Sequence, residues 1–343
     1  MNPGDTNRID KTINITHIRP QSEKNSWVDK WMRDITFIKF GEYGLKVNYY
    51  YRDFHDNVDI FDSDILDLGE FSFESTFKDI ANKGFEKHIP IVSTCAEVLL
   101  SSLQNNCKIC NIEKTDLAKV DHFIARTTWT KNLLYNFGID NNKLSVIPYA
   151  YDSRMKYIRR DITTPTFLYL GSINHIKGLD ITIDQFKKTN GGLLKVVPGE
   201  FNNEDILMNF LIKNVESDKN ITMYKFPGIE NLDSIYNSVD VLVYPGCNVE
   251  PIQIGHPLLW GLTFGKALIS LNQGGPKDFI EDGKNGFLCD SYEEIGNSIQ
   301  YLINNQDEIK KFCIYSRKKA EKEFDNLIIA KKYNDLYRNI LEK

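Results

Sequence analysis

Apolar residues in this chain gather into short runs, and between the runs they recur every three or four positions, the pattern of strands alternating with helices. In the first half INITHI (residues 13–18) alternates as a strand, and Trp27, Trp31, Ile35 and Ile38 then fall on helical spacing. Strands are predicted at Val47–Tyr51, Ile65–Leu68, Ile89–Ser93 and His122–Ala125, and Val146-Ile147-Pro148 closes the series. Strand and helix in strict alternation imply a mostly parallel sheet with helices on both faces.

The rhythm pauses at YDSRMKYIRRDITTP (151–165), a charged stretch ending in Thr-Thr-Pro, and then restarts. Strands are predicted at Phe167–Leu170, Leu194–Val197, Ile221–Met223, Val241–Tyr244 and Ala267–Ser270. Among the helices between them, Leu179, Ile183 and Phe186 form one buried stripe. From Glu293 the pattern is helical, and in the last helix Ile329, Tyr333, Tyr337 and Ile340 share a face that must pack on something, the first domain being the expected partner. No internal repeat is visible. The expected organisation is a domain over 1–152, a linker over 153–165, a second domain over 166–325 and a final helix over 326–343. The fold class is α/β, with two doubly wound, Rossmann-like domains facing a cleft and ligands at the carboxyl ends of the strands.

Composition narrows the class. With 41% hydrophobic and 26% charged residues, the 343-residue chain reads as globular protein long enough for two cores. A net charge of −5 argues against a general nucleic-acid binder and leaves room for a local basic patch around a phosphate. No apolar run approaches the roughly 20 residues that cross a bilayer, and the start MNPGDTNRIDK lacks the apolar segment of a signal peptide. The expectation is a cytoplasmic protein with no transmembrane segment. Six cysteines then stay reduced; Cys107 and Cys110 form one C-x-x-C with no second ligand pair nearby, so plain thiols are favoured over zinc or redox chemistry.

The candidate chemistry lies in two loops, each running from a strand into a helix. FLYLGSINHIKG (167–178) carries Gly171, Ser172, His175, Lys177 and Gly178. A lysine and unpaired amides at a helix N-terminus favour an anion, so this loop is read as a phosphate holder, the alternative for Lys177 being a plain exposed lysine. PGCNVEPIQIGHP (245–257) carries Glu250, with Pro257 suited to a first helical position; Glu250 is read as a site carboxylate against the alternative of an unliganded loop residue. Together they suggest a diphosphate with a carboxylate beside it. His175 and His256 could donate to phosphate, although a lone histidine is more often structural. His122 is read as packed or at a strand mouth. Trp260 is read first as core and second as a stacking surface. Gly274-Gly275 and the GKNG run (283–286) are turn chemistry first. Arg317, Lys318 and Lys319 are read as a solvated face, peripheral attachment to a membrane surface being the weaker alternative.

With those features on the page, the chain resembles a retaining glycosyltransferase of the GT-B fold, glycosyltransferase family 4 (glycosyl transferases group 1). KLSVIPYAYD (143–152) resembles that family's V-I-P-N-G-V-D, LYLGSINHIKGLD its G-R-L-x-x-x-K-G segment, and VVPGE (196–200) its I-V-G-x-G-P. NITMYKFPGIENLDSIYNSVDVLVYPG (220–246) and FGKALISLNQGGPKDFIEDGKNGFLCD (264–290) follow the family pattern in the same order. The resemblance implies transfer of a hexosyl unit from a nucleoside diphosphate sugar to an acceptor, with retention, no metal and no cofactor. It implies that Lys177 binds the diphosphate and Glu250 the donor sugar, that Gly228-Ile229 sits beside the base, and that the amides of Ile254, Gly255 and His256 hold phosphate.

The chain also departs from the family. Ser172 stands where the family has arginine, Leu258 or Trp260 stands where a second glutamate would be, and Asp278 replaces a glutamate. Ala96 and Glu97 occupy the place of a histidine, with Glu97 the candidate to stand in for it; its alternative is a carboxylate placed for helix-dipole reasons. These changes motivate two other readings, a non-catalytic sugar-nucleotide-binding partner subunit and a GT-B sugar-nucleotide epimerase. A nicotinamide dehydrogenase is disfavoured because no G-x-G-x-x-G opens a helix.

Overall fold

A computed structural model describes residues 11–19, 37–51, 60–69, 75–95, 117–151, 155–172, 177–198, 215, 218–224, 231–246 and 256–343. The chain divides into two compact units, one comprising 1–150 with 324–343 and the other 151–323.

The first unit is built on a six-stranded parallel sheet of β1 (Ile13–Arg19), β2 (Leu45–Tyr51), β3 (Ile65–Leu68), β4 (Ile91–Cys95), β5 (His122–Ala125) and β6 (Leu144–Val146), in the order β2-β1-β3-β4-β5-β6. β3 and β5 are buried at every position, as expected of strands covered on both faces. β4 begins after Pro90, two residues later than the apolar run suggests, since proline supplies no N–H for the ladder; its carbonyl still accepts from the Leu66 N–H at 3.0 Å. Helices α1 (Ser75–Glu86) and α2 (Thr128–Phe137) pack beside it. Thr127 caps α2, accepting from the Thr130 N–H, and Gly138 ends it at φ 109°, a conformation that glycine adopts without strain.

Of the helix predicted from Trp27, Trp31, Ile35 and Ile38, the first three lie outside the described residues. Phe37–Tyr43 is a 3-10 helix, and within it Ile38 is 47% exposed while Phe40 is buried. The 3-10 repeat of three residues per turn moves the apolar face from Ile38 to Phe40.

The second unit has a six-stranded parallel sheet of β7 (Thr166–Gly171), β8 (Leu193–Pro198), β9 (Ile221–Met223), β10 (Val241–Val243), β11 (Ala267–Leu271) and β12 (Gly286–Cys289), in the order β12-β11-β10-β7-β8-β9. Its helices are α3 (Leu179–Lys187), α4 (Leu232–Tyr236), α5 (His256–Thr263), α6 (Tyr292–Asn304) and α7 (Gln306–Lys319). Leu179, Ile183 and Phe186 are buried, as their spacing predicts. β12 has no counterpart in the sequence reading, where GKNG appeared only as a turn. Gly286 runs so close to the Leu268 backbone that a Cβ would overlap the Leu268 carbonyl, and that contact lets a short segment after the turn join the sheet.

The stretch read as a linker is bound to the second unit. The Tyr157 ring fills the space beside Gly265 that a Cβ would need, and Arg160 pairs with Asp240 at 3.2 Å. The basic run 317–319 is not a solvated face. Arg317 donates to the carbonyls of Thr263 (2.6 Å) and Met155 (3.2 Å), and Lys319 is buried between Glu281 (3.1 Å) and Glu323 (2.9 Å), so only Lys318 is exposed. A backbone carbonyl or a carboxylate within reach holds a cation that spacing alone would assign to water.

After α7 a five-residue π turn (Ala320–Phe324) leads into α8 (Asn326–Leu341), which belongs to the first unit. Ile329, Tyr333 and Tyr337 are buried there, and Ile340 is half-buried. The Tyr333 hydroxyl accepts from Arg126 at 2.8 Å, and the Tyr337 hydroxyl donates to Asp67 at 2.7 Å. Asp67 also lies 3.2 Å from His17, its register partner across β1 and β3.

Candidate functional site

In the second unit the chain makes β7, adds β8 and β9 on one side, then crosses back to place β10 on the other side of β7. The ends of β7 and β10 therefore lie side by side where the strand order reverses, and such a switch point is where open α/β sheets hold ligands. β11 lies next to β10, so its loop borders the same place.

Three described segments meet at these carboxyl ends. After β7 come Gly171, half-buried, and Ser172, exposed; then Lys177, half-buried, and Gly178 open α3. Gly178 has φ 77° and its missing side chain is required twice over. A Cβ there would overlap the Gly246 carbonyl and lie 2.7 Å from Pro245 Cγ. The start of α3 is thereby pressed against the exit of β10. No side chain caps α3, and the Gly178 carbonyl accepts from the Thr182 N–H at 2.9 Å, so the positive end of the helix faces the ends of the strands.

The exit of β10 is pinned to β11. The Tyr244 N–H donates to the Ile269 carbonyl at 2.9 Å and Ser270 Oγ donates to the Tyr244 carbonyl at 2.7 Å. After β11, Gly274 at φ 70° turns the chain into a 3-10 segment, Gly275–Asp278, with Asp278 half-buried.

Gly171, Ser172, Lys177 and Asp278 are thus placed on one edge of one sheet, at the ends of β7 and β11. His256 is the first residue of α5 and half-buried. Trp260, on the same helix, is 3% exposed and packs edge-to-face on Tyr236 (centroids 6.3 Å apart, planes at 72°), so it is a core residue rather than a stacking surface. Every residue of α5 after His256 is buried, which leaves no open face on which an indole could meet a ligand. Glu250, Ile254, Gly255, Gly228, Ile229, His175 and Glu97 lie outside the described residues, as do Cys107 and Cys110. Among the described residues, no group of three or more His, Cys, Asp or Glu is placed to hold a metal ion.

Two other polar clusters lie elsewhere. At the amino ends of the second sheet, Asp240 accepts from the Thr166 N–H at 2.9 Å and pairs with Arg160, while burial pushes the Lys266 ammonium down to about 8. His122 opens β5 at the amino end of the first sheet and meets Ser145 Oγ at 2.8 Å; burial lowers it to about 4, consistent with a packed, neutral ring. Both sit at the ends of the strands away from the switch points.

The third cluster was not visible in the sequence. His17, Asp67, Arg126, Tyr333 and Tyr337 converge, all but fully buried, from three strands' ends and α8. Burial by itself raises the Asp67 carboxyl, but His17, Tyr337 and Arg126 together carry it below its ordinary value. The available signal was a charged residue inside an otherwise apolar strand, as in ILDL.

Comparison with known proteins bears on the same region. The family model for "Glycosyl transferases group 1" matches residues 154–319. Spore coat protein SA of Bacillus subtilis (strain 168) is 22% identical over 182 residues, 50% of this chain and 48% of that protein. The chain spans less than half the length of the curated relatives it matches. Among solved structures, Anabaena Alr3699/HepE in complex with UDP and glucose superposes with a TM-score of 0.75 at 14% identity, covering 96% of this chain and all of that one. Sucrose-phosphate synthase from Thermosynechococcus elongatus gives a TM-score of 0.76 at 13% identity, covering 96% and 99%. The fold is that of these GT-B proteins.

Proposed function

We propose, from the match of residues 154–319 to the family model for glycosyl transferases group 1, that the chain moves a hexosyl unit from a nucleoside diphosphate sugar to an acceptor. The observation that carries the proposal is the contact of Gly178 with Pro245 and Gly246, which brings Lys177 and the start of α3 against the β10 exit at a switch point. A diphosphate seated there meets a cation and helix amides.

In the proposed reaction the bond from the anomeric carbon to the diphosphate oxygen breaks as the acceptor oxygen bonds to the same carbon on the same face. The leaving phosphate takes the acceptor proton, and configuration is retained. Charge grows on the diphosphate as the bond breaks, so Lys177 and oriented amides stabilise the transition state more than the bound donor. No metal is needed if those groups carry that charge. Glu250 is assigned the donor sugar, by resemblance alone. We place the protein in the cytoplasm, where nucleotide sugars are made.

The structure of Alr3699/HepE holds UDP and glucose, which makes UDP-sugars the first donors to try. The test is a thermal-shift screen against UDP, GDP, ADP and CMP with their common sugar conjugates, followed by transfer assays of any donor found. Selective stabilisation that disappears in Lys177→Ala supports the assignment, and undiminished transfer in Lys177→Ala or Glu250→Gln overturns the role of that residue. A protein that binds nucleotide tightly and neither transfers nor hydrolyses any donor is the non-catalytic relative. That second reading is favoured by Ser172, which puts an exposed hydroxyl where the family carries a cation.

A further inference from the structure

β11 is apolar at every position but one. Ser270 is fully buried in it, and a hydroxyl there is costly unless it finds a partner. Its partner is the carbonyl of Tyr244, which Ser270 Oγ reaches at 2.7 Å across the two strands. That carbonyl is open to a side chain because the ladder between β10 and β11 slips at this point.

The slip can be read from the bonds on either side of it. At the start of the pair the Ala267 N–H donates to the Asp240 carbonyl at 3.1 Å, and at its end the Tyr244 N–H donates to the Ile269 carbonyl at 2.9 Å. Those are bonds of one evenly spaced parallel ladder, in which every second residue of β11 donates to every second carbonyl of β10. Continued, that ladder assigns the Leu271 N–H to the Tyr244 carbonyl. It goes instead to Pro245, one residue further on, at 3.3 Å. The Tyr244 carbonyl is thereby left out of the ladder in a buried place, and the Ser270 hydroxyl supplies the donor it has lost.

An extra residue on one strand bends that strand away from the regular sheet. Here the bend comes directly before Gly246, which has φ 72° and whose carbonyl a Cβ on Gly178 would overlap. An unbroken series of contacts therefore runs from Ser270 through Tyr244, Pro245 and Gly246 to Gly178, next to Lys177 at the start of α3. We propose that Ser270 is a positioning residue for the diphosphate: its hydroxyl holds the slip at the β10 exit and so sets how closely the start of α3 lies to that exit, without touching the substrate. The proposal rests on the nucleoside-diphosphate-sugar reading of this site.

Ser270→Ala removes the hydroxyl and nothing else. The Leu271 N–H can then return to the Tyr244 carbonyl, which restores an even ladder and shifts the exit by one residue, about 3.3 Å along the strand. Stability should change little, because one hydrogen bond replaces another, while affinity for the diphosphate falls. Calorimetric titration with UDP, GDP and ADP, well below the unfolding midpoints of both proteins, should show about tenfold weaker binding of whichever nucleotide the native protein prefers. Inorganic pyrophosphate, competed against that nucleotide, should weaken by the same factor, while the corresponding nucleoside should bind unchanged. A serine that serves only the stability of the sheet would lower the unfolding midpoint and leave these affinities within twofold, which overturns the proposal. Equal weakening of nucleoside and nucleotide also overturns it, since the effect would not be on the diphosphate. A native protein that binds none of the three diphosphates overturns both this proposal and the functional reading beneath it.

Discussion

Gly178 shows how much one absent methyl group decides. Its φ of 77° and its contact with Gly246 let the first turn of α3 approach the β10 exit, where any other side chain would displace backbone. Gly178→Ala should destabilise the second unit by at least about 2 kcal/mol, from left-handed strain and the collision together, and should weaken nucleotide binding further; urea titration and calorimetry measure the two separately. In the first unit the corresponding residue is Asp67, buried and bonded to Tyr337 at 2.7 Å. Tyr337→Phe leaves that carboxylate one donor short, at a cost of about 1–3 kcal/mol. The folded Asp67 carboxyl lies below its unfolded value, so its stabilising effect is complete above about pH 4 and is lost as pH falls through the folded value. Removing the Tyr337 hydroxyl, one of the groups that lower it, should move this acid limb to higher pH in a denaturation series.

At the scale of elements, the turn before β12 is held to α7 by one carboxylate. Glu281 accepts from the Tyr315 hydroxyl (2.7 Å), Lys319 (3.1 Å) and Lys284 (3.2 Å). The Tyr315 hydrogen bond, joined by both lysines, lowers Glu281 from 4.5 to about 2. Its contribution is therefore present above about pH 4.5 and lost as the pH drops toward 2, and Glu281→Gln should flatten the stability curve across that window. The sequence announced most of these elements. Eleven of the twelve described strands begin within two residues of an apolar run that predicted them, and β12 was missed, because a four-residue strand after a GKNG turn has no periodicity to read. The failure at Arg317 and Lys319 has a different cause, since their carboxylate and carbonyl partners arrive from other elements.

For the whole molecule, two sheets with separate cores predict separable unfolding. Calorimetry should resolve two transitions, and a nucleotide at 100 times its dissociation constant should stabilise only that of the second unit, by about 2.7 kcal/mol. Hydrogen exchange on residues 166–198 against residues 13–19 and 65–69 would assign the transitions, and equal protection of both sheets by nucleotide would refute the assignment.

What the sequence alone determined is local: apolar runs that must be buried, the glycines and prolines that end them, and the ordered motifs from which the two-sheet α/β class could be read. Which strands become neighbours depends on chain crossings that carry no local signal, and the tertiary structure decided it. The adjacency of β7 and β10 turns Gly178 and Gly246 into contacts although 68 positions separate them in the numbering. The same packing carried Trp260 into the core, bound the basic run to carbonyls and carboxylates, and gathered His17, Asp67, Arg126, Tyr333 and Tyr337 into one buried cluster. Hydrophobic periodicity reports only that a side chain leaves water; what it meets there is set by the partner element, and partners are chosen in three dimensions.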